Sequence, residues 1–157
     1  MVDSLNAEIS LGTVTNTKEA IQWIGYTYLF VRMRRNPVVY GMTHDEPADD
    51  PQLGNKRHLL VKAAAQKLAE ARMIDYNEMT GTFTITDLGR IAAKYYIRTT
   101  SIEIFNKEFK PVMSEADVLA MLSQSTEVNH LYSKQENVAQ HCSSSIKCNF
   151  EKMKLRN

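Results

Sequence analysis

The sequence predicts a mainly α-helical fold with one small β-hairpin. Apolar residues recur at helical spacing in two long stretches before position 74, and they alternate with polar residues over 74–85. A further helical stretch follows the alternating one. Because an isolated hairpin is marginal in water, this hairpin has to pack against the helices. Helices, a two-stranded wing and another helix together predict a winged-helix domain, followed by the first helices of a truncated helical bundle.

The chain begins with two predicted helices. Residues 4–12 form a short amphipathic helix that a glycine ends. Asn16 and Glu19 have capping-box spacing, in which Asn16 accepts from first-turn amides and Glu19 reaches back. From Thr17 the spacing predicts one continuous helix that ends at Pro37, followed by an extended apolar exit. Its apolar positions are Ala20, Ile21, Ile24, Tyr28, Leu29 and Val31.

A third helix and the hairpin come next. Residues 42–50 form an acidic loop, and Asp50 with Pro51 predicts the start of a helix that extends to about Met73. The hairpin then turns around Glu78–Gly81. The predicted buried stripe of the third helix is Leu53, Leu60, Val61, Ala64, Leu68 and Ala71.

The rest of the chain divides into helices and a polar tail. Thr86 is expected to cap a helix, and two further helices fit residues 101–109 and 114–122. The inner face of the capped helix is predicted to be Leu88, Ile91, Ala92 and Tyr95. The predicted organisation is a winged-helix domain over 4–98, the start of a helical bundle over 99–127, and a divergent, disordered tail over 128–157.

Composition limits the classes of function. The formal net charge is +1, so any attraction to nucleic acid has to come from local patches. Residues 1–128 carry −2 and residues 129–157 carry +3. The two cysteines, Cys142 and Cys148, both lie in the tail, which disfavours a secreted disulfide scaffold. With no membrane-length apolar run and no signal-peptide pattern, a nuclear or cytosolic location is expected, without membrane contact.

A set of short sequence pieces keeps its order and spacing over about residues 4–127. They are Leu5–Ile9, Gly12–Val14, Tyr26–Leu29, Arg32-Met33, Asn36-Pro37, Tyr40-Gly41, Thr86–Ala92 and Tyr95–Ile97. In this wording the chain resembles the winged-helix segment of superfamily 2 DExH helicases with two tandem motor cassettes. Near Val128 the sequence departs from the family's pattern, and residues 129–157 carry no such resemblance.

The resemblance implies a parent that is an ATP-dependent 3′→5′ nucleic-acid helicase using ATP and Mg²⁺. Such a motor needs a G-x-x-x-x-G-K-S/T loop and a DExH box, and this sequence contains neither. Gly54, Gly81 and Gly89 stand in no such context. The chain is therefore expected to be a helicase fragment without catalytic residues, cofactor or metal. In the family this segment connects the second motor domain to a ratchet-like bundle, so the expected partners are helicase motor domains or complex subunits.

Four cations are candidate contacts to the nucleic-acid backbone: Lys56, Arg57, Arg90 and Lys94. Arg90 and Lys94 are one turn apart and share a helix face. Phosphate contacts of this kind add affinity without sequence preference. The alternative, which the pattern favours, is an ordinary solvated helix face.

Other clusters carry weaker hypotheses. Arg32, Arg34 and Arg35 suit the negative end of a helix dipole or ion pairs with motor domains better than nucleic acid. Tyr95 and Tyr96 could stack on bases, although the spacing of Tyr95 favours the core. The acidic loop around His44 lacks calcium-loop spacing, and the tail set His130, His141, Cys142 and Cys148 is not a zinc-finger pattern.

Two other functions stay open at this stage. A free-standing winged-helix module could bind duplex DNA or protein partners, since residues 51–73 hold Lys56, Arg57, Lys62, Lys67 and Arg72 against Glu70 alone. A truncated product without function would expose the apolar face that normally meets a motor domain.

Overall fold

The structure is a computed structural model that describes residues 1–128. It divides into two compact units, Met1–Thr99 and Thr100–Asn157. The predicted fold class is confirmed: the described residues are mainly helical, with one antiparallel hairpin. Disorder is predicted for residues 128–157, and of these, residues 129–157 lie outside the described residues.

The elements follow one another in this order. They are α1 (Val2–Leu11), α2 (Thr17–Gly25), α3 (Tyr28–Arg35), a 3-10 helix (Pro37–Tyr40), α4 (Glu46–Asp49), α5 (Gly54–Glu70), β1 (Ile74–Asn77), β2 (Thr82–Ile85), α6 (Asp87–Tyr95), α7 (Thr99–Glu108) and α8 (Glu115–Ser123).

The single helix predicted to begin at Thr17 is wrong, because the structure divides it into α2 and α3. Thr27 lies between them with extended backbone, at φ −87° and ψ 155°. Its hydroxyl donates to the carbonyl of Ile24 at 2.6 Å, which satisfies a carbonyl at the end of α2. A threonine that bonds locally in this way ends one helix and begins the next, which the apolar spacing alone does not reveal.

The extended exit predicted after Pro37 is also wrong. Residues Pro37–Tyr40 form a 3-10 helix, which suits a proline at its first position. Gly41 ends it in the left-handed region at φ 68°. The chain therefore turns at once, and Val38 and Val39 stay exposed.

The predicted start of α5 at Pro51 is wrong by about one turn. Asp50 does accept from backbone amides, but from Gln52 at 3.2 Å and Gly54 at 2.6 Å. These two bonds hold Pro51 and Gln52 in a turn, and Leu53 adopts φ 49° immediately before the helix begins. The predicted stripe is confirmed at Leu53, Val61, Ala64, Leu68 and Ala71, and Leu60 is half-buried.

The early helix caps largely follow the prediction. Gly12 ends α1 at φ 76°, and the Asn16 side chain accepts from the amide of Glu19 at 3.0 Å. The Glu19 carboxylate reaches back one residue further than a capping box requires, to the amide of Thr15 at 2.7 Å. That hydrogen bond from the Thr15 amide lowers the pKa of Glu19, because it favours the charged form.

The wing is a two-stranded hairpin, and a third segment of the chain forms hydrogen bonds with its outer edge. β1 and β2 pair antiparallel with Tyr76 opposite Phe83, and the two rings lie 5.3 Å apart. Residues 15–17 run along the other edge of β2, where Phe83 donates to Thr15 at 2.8 Å and Thr17 donates to Gly81 at 2.8 Å. This pairing ties the wing to the start of α2, which answers the need of a small hairpin for outside support.

α6 packs most closely where Gly89 meets the start of the wing. A Cβ on Gly89 would lie 2.0 Å from the carbonyl oxygen of Met73, so only glycine fits. The carbonyl of Gly89 accepts from Asn6 on α1 at 2.9 Å. Thr86 caps α6 by accepting from the Gly89 amide at 3.1 Å, as predicted. One residue thus joins α1, α6 and the strand that precedes the wing turn.

The predicted inner face of α6 is wrong at two of its four positions. Ala92 is buried and Leu88 is half-buried, but Ile91 is exposed and Tyr95 is 64% exposed. The helix is rotated so that Gly89 and Ala92 face the core, because small residues allow the close approach to Met73. Tyr95 is therefore a surface residue.

The two helices predicted over 101–109 and 114–122 are confirmed as α7 and α8, with bounds that differ by one or two residues. Ser114 caps α8 in a capping box with Asp117. The Ser114 hydroxyl and amide both donate to that carboxylate and lower the pKa of Asp117. Within residues 1–128, no helix is long and apolar enough to cross a membrane.

Replacing Gly89 with alanine tests the close approach of α6 to Met73. The added methyl forces the backbone apart, and we expect Gly89→Ala to lower the free energy of unfolding by about 3 kcal/mol. The measurement is urea denaturation followed by far-ultraviolet circular dichroism. Gly54→Ala is the matched control, since a Cβ there would lie 3.5 Å from Asp50, an ordinary contact. Equal stability of the two variants would contradict the packing at Gly89.

Candidate functional site

The two α5 cations predicted as phosphate contacts lie in the first turns of the helix that precedes the wing. Lys56 is half-buried, and its Nζ lies 3.9 Å from the position that a Cβ on Gly41 would take. Arg57 points inward. Its Nη1 donates to the carbonyl of Ile21 on α2 at 3.0 Å, and its guanidinium lies 5.4 Å from the ring centre of Phe30 on α3.

The two α6 cations are exposed. Arg90 forms an ion pair with Asp87 one turn earlier, at 2.9 Å. Lys94 lies 5.5 Å from the ring centre of its neighbour Tyr95. Exposed pairs of this kind contribute about 0–1 kcal/mol to stability, so both cations can exchange partners readily. The assignment of these four residues to a nucleic-acid backbone stays a prediction.

The outward face of α5 is poor in charge at its centre. Leu59, Ala63, Gln66 and Glu70 follow one another at helical spacing on the side opposite the buried stripe, and all four are exposed. Leu59 is 62% exposed. A helix that reads or clamps a polyanion is expected to present cations along this line. Here the line presents an aliphatic side chain and a carboxylate instead.

The wing has the same character. Residues 74–85 contain Asp75 and Glu78 and no lysine or arginine. At the wing tip Met79 is 95% exposed, and Gln66 of α5 donates to the Glu78 carboxylate at 3.1 Å. A wing with two carboxylates repels phosphates, so it does not supply the basic contacts of a DNA-binding wing.

A second surface is both apolar and basic, and we call it the α3 surface. It consists of the exposed side chains Tyr26, Tyr28, Val31, Val38 and Val39, between the end of α2 and the 3-10 helix. Tyr26 is 92% exposed and Val39 75%. Arg32, Arg34 and Arg35 stand among them. Several large apolar side chains exposed near one another are typical of interaction surfaces.

Gly54, Gly81 and Gly89 have structural roles in the fold. Gly54 donates its amide to Asp50, Gly81 forms the wing turn at φ 69°, and Gly89 packs on Met73. None of the three glycines therefore stands in a phosphate-binding loop. Among residues 1–128, no group of three or more His, Cys, Asp or Glu side chains is placed to hold a metal ion.

Two family models match the chain. A Winged Helix-turn-helix domain matches residues 1–70, and a Sec63 Brl domain matches residues 85–152. The second match reaches past position 127, where the resemblance read from the sequence ended. The fold and these matches define the class: a winged-helix region followed by a Sec63 domain.

Curated relatives show in which proteins this region occurs. The RQC trigger complex helicase SLH1 of Saccharomyces cerevisiae is 48% identical over 87% of this chain and 7% of its own length. Activating signal cointegrator 1 complex subunit 3 of Gallus gallus is 49% identical over 88% of this chain and 6% of its own length. The DExH-box ATP-dependent RNA helicase DExH14 of Arabidopsis thaliana is 43% identical over 85% of this chain and 6% of its own length.

The chain is homologous to the winged-helix and Sec63 region of DExH helicases, which confirms the resemblance read from the sequence. It spans 6% to 7% of the length of these three curated relatives.

Sequence reasoning missed the α3 surface as a unit. The helical spacing predicts Tyr28 and Val31 on a buried apolar stripe, and in the structure both are exposed. The reason is the break between α2 and α3 at Thr27, which changes the side of the helix on which the following residues lie. The pairing of residues 15–17 with β2 was missed too, although Thr13-Val14-Thr15 has the β-branched composition of a short strand.

Replacing Arg57 tests whether it holds α2, α3 and α5 together. Arg57→Leu loses the bond to Ile21 and the contact with Phe30, and we expect the free energy of unfolding to fall by about 2 kcal/mol. Arg90→Leu is the matched control and should lose less than about 0.5 kcal/mol, since its ion pair is exposed. Both values come from urea denaturation. An Arg57→Leu variant as stable as the parent chain would show that Arg57 is a surface cation only.

Proposed function

We propose that this chain is the winged-helix connector of a DExH helicase, which docks on a motor domain through the α3 surface and has no motor activity of its own. The observation that carries the proposal is the exposure of Tyr26, Tyr28, Val31, Val38 and Val39 around α3. Apolar side chains grouped in this way gain free energy when a partner covers them. The homology to a region of long helicases supplies the kind of partner.

The position of the α3 surface suits a connector. Arg57 joins α2, α3 and α5 through Ile21 and Phe30, so the α3 surface is fixed to the helices that carry the wing. A surface held on rigid elements transmits the movement of a bound domain, whereas a surface on a mobile loop would absorb it.

Binding of nucleic acid by a free-standing module is the second candidate. Lys56, Arg57, Arg90 and Lys94 favour it, and the exposed Arg90 and Lys94 are the best placed of the four. The carboxylates of the wing and the absence of cations from the line Leu59, Ala63, Gln66 and Glu70 of α5 disfavour it, because affinity for phosphates grows with the number of cations in contact. The connector is therefore preferred.

The proposal extends to cofactor, partner and location. The glycine contacts support a chain that holds neither ATP nor Mg²⁺. The names of the relatives, an RQC trigger complex helicase and a cointegrator complex subunit, suggest that further partners are subunits of such complexes. A nuclear or cytosolic location is part of the same proposal.

Docking is tested by titrating the chain with a purified motor domain of a DExH helicase relative in isothermal titration calorimetry. We expect the double variant Val38→Asp and Val39→Asp to weaken binding by at least about tenfold, because each charge must lose its water on docking. Both side chains are exposed, so the fold should survive, which circular dichroism checks.

The matched control is Met79→Asp, which places the same charge on an exposed side chain at the wing tip. It should leave the affinity unchanged. If the unmodified chain does not bind, or if Met79→Asp weakens binding as much as the double variant, docking through the α3 surface is excluded.

The absence of motor activity is tested with a phosphate-release assay in the presence of ATP, Mg²⁺ and single-stranded RNA. Release at the background rate is expected for the chain alone. Turnover above background would overturn the connector proposal. Binding of the RNA that falls steeply with salt would instead favour the second candidate.

A further inference from the structure

The end of α3 lies in a stretch of sequence whose only charged side chains are basic. From Ala20 to His44 the sequence contains Arg32, Arg34 and Arg35 and no aspartate or glutamate. Part of this charge complements the carboxyl end of the α3 dipole. Three arginines in the last turn exceed what capping requires, since the dipole is equivalent to about half a charge.

Phe30 organises two guanidinium groups in this region. Arg34 of α3 lies 5.8 Å from the ring centre, and Arg57 of α5 lies 5.4 Å from it. A shallow groove beside the ring is lined by Phe30, Val31, Arg34 and Arg35. The aromatic ring holds the cations in place and keeps water from part of their surface. We call Phe30, Arg34, Arg35 and Arg57 the guanidinium cluster.

The guanidinium cluster is not neutralised within residues 1–128. No carboxylate among these residues forms an ion pair with Arg34, Arg35 or Arg57. Arg57 uses its Nη1 on the Ile21 carbonyl, and its buried Nε has no hydrogen-bond partner among the described residues. Arg57 is partly buried, whereas Arg34 and Arg35 are exposed to solvent. The guanidinium groups of Arg34 and Arg35 are therefore available to a counter-charge that a partner supplies.

We propose that the guanidinium cluster binds a carboxylate on an acidic, apolar segment of the partner protein. The inference rests on the proposed function, because it names the chemistry of the partner that covers the α3 surface. Arginine is suited to this role since its planar fork binds a carboxylate through two parallel hydrogen bonds. The valines of the α3 surface would cover the apolar side chains that flank the carboxylate.

The composition of the surface favours protein over RNA as the occupant. Val31, Val38 and Val39 are exposed next to the cluster, and aliphatic side chains gain little from phosphates. Phe30 already has guanidinium groups near its ring, so it is not free as a platform for a base. Acidic and apolar groups together match what the surface presents.

The test is a nuclear magnetic resonance titration of the whole chain with a short amidated peptide, Leu-Glu-Phe-Glu-Leu. The arginine side-chain Nε–H signals of Arg34 and the ring signals of Phe30 are followed. We expect both to shift with saturation, and the lysine peptide Leu-Lys-Phe-Lys-Leu to leave them unchanged. Arg34→Glu should weaken binding of the acidic peptide by about tenfold or more.

Two variants sharpen the result. Arg34→Lys keeps the charge and loses the planar fork, so it should bind with intermediate affinity. Lys62→Glu changes an exposed cation on α5 and should have no effect. Absence of shifts at Arg34 and Phe30, or equal shifts with the lysine peptide, would overturn the proposal. Larger shifts of the same signals with a short single-stranded RNA would mean that the cluster prefers a phosphate to a carboxylate, which would also overturn the proposal.

The peptide titration and the calorimetry with a motor domain distinguish a failure of this inference from a failure of the connector proposal. If the valine variants abolish docking on the motor domain while Arg34→Glu does not, and the peptide leaves Arg34 unshifted, the connector stands and the carboxylate is wrong. If the acidic peptide binds and no motor domain does, the guanidinium cluster is a receptor for another acidic partner, and the connector is wrong.

Discussion

The close approach between Gly89 and the Met73 carbonyl is the constraint on which the winged-helix unit depends. It brings α6 against the strand that begins the wing, and the Gly89 carbonyl binds Asn6 of α1 at 2.9 Å. Thr86 fixes the same corner by capping α6 and donating to Met73 at 2.8 Å. With this corner closed, Gly89 and Ala92 of α6 face the core, while Ile91 and Tyr95 are exposed.

Local chemistry made much of the fold predictable. Gly12, Asn16 and Thr86 end or begin helices through side-chain or backbone preferences that hold in any context, and the structure confirms them. Faces were harder to predict, because a face depends on what packs against it. Tyr28 is exposed and not buried because Thr27 divides the predicted helix. Tyr95 is exposed because the packing of Gly89 rotates α6. The inward position of Arg57 depends on Ile21 and Phe30, which are distant in sequence.

Two surfaces of the same unit have opposite characters. The wing and the outward line of α5, which bind nucleic acid in many winged-helix proteins, present carboxylates and an aliphatic side chain. The α3 surface presents aromatic, aliphatic and guanidinium groups without a counter-charge among the described residues. The interaction side that we propose therefore lies on the helices before the wing and not on the wing itself. Homology to a small region of long helicases agrees with such a role, since a connector needs neighbours on its helices.

Hydrogen–deuterium exchange of the chain, alone and bound to a motor domain, tests this division of surfaces most directly. The account predicts slower exchange in residues 26–40 on binding and unchanged exchange in residues 74–85. Protection of the wing and the first turns of α5, with residues 26–40 unaffected, would contradict it.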